Sequence, residues 1–148
     1  MGSEMCIRDR IISLASQVVA TTNGHCFCST DNALPAFDMG ILPPLYYTVS
    51  RCRHPQIRRQ ALDLLRRGPS QEGVWHRSIL ASIAEHIMHL EEKDCTEVEI
   101  SADIPASSRI SVLNANVRSA ERVVILHCCQ RLSGESGAVH VMHELIKY

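Results

Sequence analysis

The chain has 148 residues, of which 45% are hydrophobic and 21% are charged, and its formal net charge is −1. This balance is typical of one soluble globular domain and unlike that of disordered chains. The near-zero net charge excludes a general electrostatic attraction for nucleic acids or membrane surfaces. The seven cysteines are irregularly spaced, which favours free thiols in a reducing compartment over a disulfide framework.

The first ten residues, MGSEMCIRDR, contain neither an apolar period nor a helix cap. They resemble a translated sequencing adapter, so we exclude residues 1–10 from the fold prediction as an adapter artefact. We therefore expect the native chain to extend upstream of Ile11. No apolar run approaches the ~20 residues that a membrane-spanning helix needs.

Residues 11–36 are predicted to form the end of a helix and a flexible loop. Apolar residues at Ile11, Leu14 and Val18 have helical spacing. The stretch 21–35 is rich in turn-forming residues and has no hydrophobic period, which indicates a loop.

Three further helices are predicted from proline and glycine boundaries. Pro43 and Pro44 suit a first helical turn, and that helix should continue to Arg53. Pro55 can start the next helix, which the Gly68-Pro69 pair should end.

The third of these helices should run from Trp75 to about residue 93, after a turn at 70–73. An apolar stripe marks it: Ile79, Ile83, Ile87 and Leu90, widened by Leu80 and Ala84.

The hydrophobic period changes after Asp94, and residues 109–144 predict three short antiparallel strands. The predicted fold is therefore mainly α: a bundle of three to four helices followed by a small C-terminal antiparallel β segment. Residues 37–148 form one unit in this prediction.

Metal-binding patterns in the sequence are incomplete. His25, Cys26 and Cys28 could supply half of a zinc site, but no second Cys-x-x-Cys pair follows, so we interpret them as loop residues. His86 and His89 are three residues apart on a predicted helix, without the acidic residue of a zincin pattern. We expect no metal and no cofactor in this chain.

Catalytic patterns are also incomplete. Cys128 and Cys129 should point to opposite faces of a strand, one of them into the core, and neither has an obvious base beside it. There is no nucleophile elbow and no glycine-rich phosphate loop. The sequence therefore predicts that the chain is not an enzyme.

Six arginines lie between residues 51 and 67, opposed within that span by Asp63 alone. Phosphate contact is one interpretation. The alternative is a solvated helix face whose charges pair with the acidic segment 85–103, and the absence of interleaved aromatic residues favours this alternative.

Several short motifs between residues 37 and 92 resemble the C-terminal part of the fungal-specific transcription factor domain, which occurs in regulators with a binuclear zinc cluster. The matching stretches are DMG, PPL, CRHP, RRQA, LL and EGVW. The residues that carry the resemblance are Asp38, Gly40, Pro43, Pro44, Arg53, Pro55, Gly73 and Trp75.

The resemblance implies that residues 37–148 are the C-terminal part of that regulatory domain, and that the chain is a regulatory, dimer-contact fragment of a nuclear transcription factor. The cysteines of the zinc cluster are absent here, so the resemblance places zinc and DNA binding in a missing N-terminal domain. Implied partners are a second copy or other transcription proteins, with no membrane. A helical protein-interaction scaffold outside transcription is the alternative.

Overall fold

The computed structural model describes residues 7–22, 40–132 and 137–148. Most of the predicted loop 21–35, together with Asp38, lies outside these residues. The helices are α1 (Ile7–Thr22), α2 (Leu42–Arg51), α3 (Pro55–Arg67) and α4 (Arg77–Glu92). The strands are β1 (Gln71–Glu72), β2 (Trp75–His76), β3 (Ile110–Arg118), β4 (Val123–Arg131) and β5 (Val139–Lys147). Two short 3-10 turns, Ser101–Asp103 and Ala106–Ser108, lead from α4 into β3.

The four helices form one layer around a first hydrophobic core. α3 begins at Pro55, as predicted, and its apolar face buries Ala61, Leu64 and Leu65 against α1, α2 and α4. The last four residues of the adapter-like segment, 7–10, form the first turn of α1, and Ile7 is 80% exposed.

Within the helical layer, α4 is the helix that also packs against the three-stranded sheet. Leu80, Ala84 and Met88 belong to the helical core, whereas Ile83 and Ile87 belong to a second core on the sheet. What the sequence presents as one wide stripe is thus two adjacent stripes with two different partners. A helix apolar on this much of its circumference is stable only when it is covered on both sides.

The sheet has the antiparallel order β3-β4-β5. Val124, Leu126 and Cys128 of β4 point toward α4 and are fully buried. The register of β3 shifts between Val112 and Asn114, where a bulge reverses which residues face α4.

The mainly α prediction was wrong, because the fold is mixed α and β. Helices make up 50% and strands 26% of the structure, and the strands form two antiparallel sheets. The C-terminal sheet, with nine-residue strands that run to Lys147, supplies most of the second core. It is a full layer of the domain rather than a small appendage.

The predicted helix ends also need correction. α2 stops at Arg51, and the backbone N–H of Cys52 donates to the Thr48 carbonyl oxygen at 2.9 Å. α4 starts at Arg77 rather than Trp75, because Trp75 and His76 pair with Glu72 and Gln71 in a two-stranded hairpin.

Across the three described stretches, none of the helices has both the length and the apolar character needed to cross a bilayer.

Candidate functional site

The carboxylate of Glu72 caps the N-terminus of α2. Its two oxygens accept hydrogen bonds from the backbone N–H groups of Ile41, at 3.1 Å, and Leu42, at 2.8 Å. The next two residues, Pro43 and Pro44, have no N–H group to satisfy. The negative charge also lies at the positive end of the helix dipole. One side chain from the β1–β2 hairpin therefore satisfies the donors at the start of this helix.

Two glycines shape this junction. A methyl group added at Gly40 would overlap the Glu72 carboxylate, so the absence of a side chain at Gly40 lets the two segments meet. Gly73 has a φ of 56° at the first position of the two-residue hairpin turn, a conformation that favours glycine. Gly40 and the start of α2 thus meet Glu72 of the EGVW motif in one contact, although they are about thirty residues apart in sequence.

A buried carboxylate, Glu91 of α4, joins four segments of the fold. Its Oε2 accepts from Arg58 Nη2 at 2.6 Å, and its Oε1 accepts from Arg53 Nη2 at 2.7 Å. Oε1 also accepts from the backbone N–H of Ile110 at 2.8 Å, which ties the start of β3 to α4. Arg58 Nε donates to the Val49 carbonyl oxygen at 2.7 Å, which ties α3 to α2. The side chains of Arg58 and Glu91 are both 0% exposed.

The pairing of the arginine span with the acidic segment is confirmed. Besides the Glu91 contacts, Arg59 pairs with Glu92 at 2.9 Å and Arg66 with Glu85 at 2.6 Å. The expectation that this face is solvated was wrong for Arg58, which is buried at the centre of the network. Arg67 pairs with Asp63 within α3.

Trp75, the single tryptophan of the chain, is partly buried against the helical core. That core contains Leu64 and Leu65. The indole sits in β2, immediately before α4 begins. This position lets it bridge the hairpin and the helical layer.

The histidines and cysteines do not converge on a metal site in the described part of the chain, where no group of three or more potential ligands occurs. His86 Nε2 lies 3.1 Å from Glu144 Oε2, a contact between α4 and β5 that the sequence did not indicate, while His89 is exposed. As predicted, one residue of the Cys128–Cys129 pair is buried in the core: Cys128. His25, Cys26 and Cys28 lie outside the described residues.

The structure brings the predicted motif residues together in two places. Gly40, Pro43, Pro44 and Gly73 surround the Glu72 cap, and Arg53 reaches Glu91 just before Pro55 opens α3. Glu91, the residue on which the second site depends, was missed. A carboxylate in a helix with several charged neighbours gives no local signal of burial.

No family model matches the chain, and no solved structure matches it. The chain is similar to the aspercryptin biosynthesis cluster-specific transcription regulator atnN of Emericella nidulans, with 31% identity over 78 residues. The match covers 50% of this chain and 13% of the regulator, so the chain spans a small part of that relative's length. The chain is thus related in sequence to a fungal transcription regulator.

Proposed function

We propose that this chain is a regulatory segment of a zinc-cluster transcription factor, and that DNA recognition resides in another part of the full protein. The observation that carries the proposal is the similarity to a fungal cluster-specific regulator over half of the chain. In this proposal the chain acts in the nucleus through contacts with a second copy or with other transcription proteins. Zinc belongs to the cluster outside this chain.

The charge arrangement supports a role other than DNA contact. Five of the six arginines between residues 51 and 67 are paired with carboxylates: Arg53, Arg58, Arg59, Arg66 and Arg67. A protein that binds a duplex tightly needs cationic side chains that can reach phosphates. Here Arg53 and Arg58 are largely buried against Glu91, and the exposed Arg59, Arg66 and Arg67 each lie beside a carboxylate of this chain.

The proposal gives the chain no catalytic activity. In the part of the chain that the structure describes, the buried charged side chains are Arg58 and Glu91, and they bond to each other and to the backbone. Their contacts account for a structural role, which suits a regulatory segment.

Tethering tests the proposal directly. The full 148-residue chain, fused to a heterologous DNA-binding domain, should change transcription of a reporter relative to that domain alone. The same output from both proteins at equal nuclear levels would contradict a regulatory role and favour a scaffold outside transcription.

DNA binding by the isolated chain provides the second measurement. Fluorescence anisotropy with labelled duplexes should show weak, sequence-independent binding that is lost between about 50 and 200 mM salt. A tight complex that discriminates between duplexes would place DNA recognition in this chain and overturn the proposal.

A further inference from the structure

A cleft of about 540 Å³ lies between the tip of the β1–β2 hairpin, the first half of α4 and the end of β3. Its walls include Trp75, Ile79, Ile83, Ala115, Val117 and Tyr148. This volume is within the range of small-molecule sites, roughly 300 to 1,000 Å³. Neither Glu72 nor Glu91 lines the cleft, although Trp75 pairs with Glu72 in the hairpin.

The side chains that line the cleft carry no permanent charge. None of them is an Asp, Glu, Lys or Arg, and His76 is the one imidazole. A charged ligand seated against this wall would lose part of its hydration, and none of the lining side chains would supply a counter-ion, which is unfavourable; the nearby Arg122 guanidinium lies behind the Tyr148 ring. The chemistry of the walls therefore selects an uncharged molecule.

Two valines at the cleft are more exposed than their residue type usually is. Val117 is 41% exposed although it faces the α4 side of the sheet, and Val74 at the hairpin tip is 84% exposed. β3 extends beyond the part of the sheet that α4 covers, which leaves this end of the inner face open. An apolar ligand would remove both side chains from water.

Aromatic rings and hydroxyl groups define the remaining wall. Tyr46, Trp75 and Tyr148 supply ring surfaces, and Ser78 and Ser119 supply hydroxyl groups that can form hydrogen bonds with a ligand.

Tyr148 is held in place by Arg122 of the β3–β4 turn. Its backbone N–H donates to the Arg122 carbonyl oxygen at 3.1 Å, and Arg122 Nε donates back to the Tyr148 carbonyl oxygen at 3.1 Å. The Arg122 guanidinium also lies 5.9 Å from the centre of the Tyr148 ring. This wall is therefore formed before any ligand arrives.

We propose that this cleft is a binding site for an uncharged, ring-containing, mostly apolar small molecule. The inference rests on the shape and chemistry of the cleft and does not depend on the proposed role in transcription.

Two dyes with the same ring system test the charge requirement. N-phenyl-1-naphthylamine is neutral, and 8-anilinonaphthalene-1-sulfonate adds one anionic group. Because Trp75 is the single tryptophan and lines the cleft, energy transfer from its indole reports a dye bound to the protein, and substitutions in the cleft then locate that dye. We expect saturable one-to-one binding of the neutral dye, with the sulfonated dye at least about tenfold weaker. Equal affinity for both dyes, or no energy transfer from Trp75, would overturn the proposal.

Two neighbouring substitutions on β3 locate the site. Ala115 faces the cleft, whereas Asn116 pairs with Ile125 on the outer face of the sheet. Ala115→Phe should fill the cleft and weaken the neutral dye at least about tenfold, while Asn116→Phe should leave its affinity unchanged. Equal effects of the two substitutions would place the dye elsewhere and contradict the proposal.

Circular dichroism would show whether Ala115→Phe folds. If it does not fold, a second variant in the cleft provides the same test. Val117→Asp changes a side chain that is already partly exposed, so the fold should tolerate it. It adds a negative charge to the apolar wall, and the neutral dye should again bind at least about tenfold more weakly. Unchanged binding in this folded variant would overturn the assignment of the cleft.

Discussion

Gly40 lies where any side chain would collide with the carboxylate of Glu72, and that carboxylate holds the first backbone N–H groups of α2. The glycine and the glutamate therefore depend on each other. A side chain at Gly40 would displace the cap, and the loss of Glu72 would remove the reason for the glycine.

A double-mutant cycle measures this dependence. Gly40→Ala should lower the free energy of unfolding by about 1–2 kcal/mol, the usual value of a side-chain helix cap. In a Glu72→Ala background the same change should be neutral or slightly stabilising, since alanine restricts the unfolded chain more than glycine. Urea denaturation of the four proteins gives the coupling energy. Additive effects would show that Gly40 and Glu72 act independently.

The Glu91 network should be more sensitive than the surface pairs. Glu91→Gln removes the nearest negative partner of the buried Arg58 guanidinium, which then keeps only the longer contact between its Nη1 and Glu92 Oε1, at 3.6 Å. Breaking a buried ion pair costs about 3–5 kcal/mol. Glu85→Gln is the matched control, because the Arg66–Glu85 pair is 50% and 36% exposed and should contribute less than about 1 kcal/mol. Thermal and urea midpoints of the two variants provide the comparison. Similar losses in both would mean that Glu91 is not a central structural residue.

The adjacent thiols of β4 should differ in reactivity. Burial raises the pKa of the Cys128 thiol, with further contributions from Glu144 and Cys129, and Cys128 faces the core. Cys129 faces outward and is partly exposed. Iodoacetamide should therefore modify Cys129 before Cys128, because the exposed thiolate is the reactive species.

Mass spectrometry can follow both thiols in one tryptic peptide, residues 123–131, because trypsin cleaves after Arg122 and after Arg131. Fragment ions distinguish the two adjacent positions. Modification of Cys128 first, in the folded protein, would contradict the inward orientation of that side chain. Denatured protein, in which both thiols are exposed, is the control.

Asp103 should titrate below the usual aspartate value. Hydrogen bonds from the backbone N–H groups of Ile100 and Glu99 lower its pKa. Because the folded pKa lies below the unfolded one, its contribution to stability is present above the unfolded value of ~3.9 and is lost as the pH falls through the folded value. The carboxyl ¹³C shift in an NMR titration reports the midpoint. A midpoint at or above the peptide value would contradict the capping contact.

The local elements were largely predictable because their boundary residues act through local geometry. Pro55 and Gly68 bracket α3 in the structure as they do in the sequence. Trp75 was assigned to α4 because a two-residue strand has too few residues to show alternation.

The size of the sheet was not predictable from alternation alone. The bulge near Leu113 breaks the period of β3, and the polar residues Asn114 and Asn116 face outward, so the strand reads as irregular. The arginines and glutamates presented a related difficulty. Arg58 and Glu91 are 33 residues apart in sequence. Only the tertiary fold shows that they form a buried ion pair, in which each charge compensates the other.

The position of α4 between two cores has a consequence for cooperativity. Neither the helical layer nor the sheet can open without exposing one apolar stripe of the same helix. Glu91 adds a polar link, because one carboxylate bonds both Arg58 of α3 and the first residue of β3. The two layers should therefore unfold in a single transition, and the slowest amide exchange should lie along α4. In such a fold, a substitution that destabilises the far end of the sheet should lower the stability of the helices by the same amount.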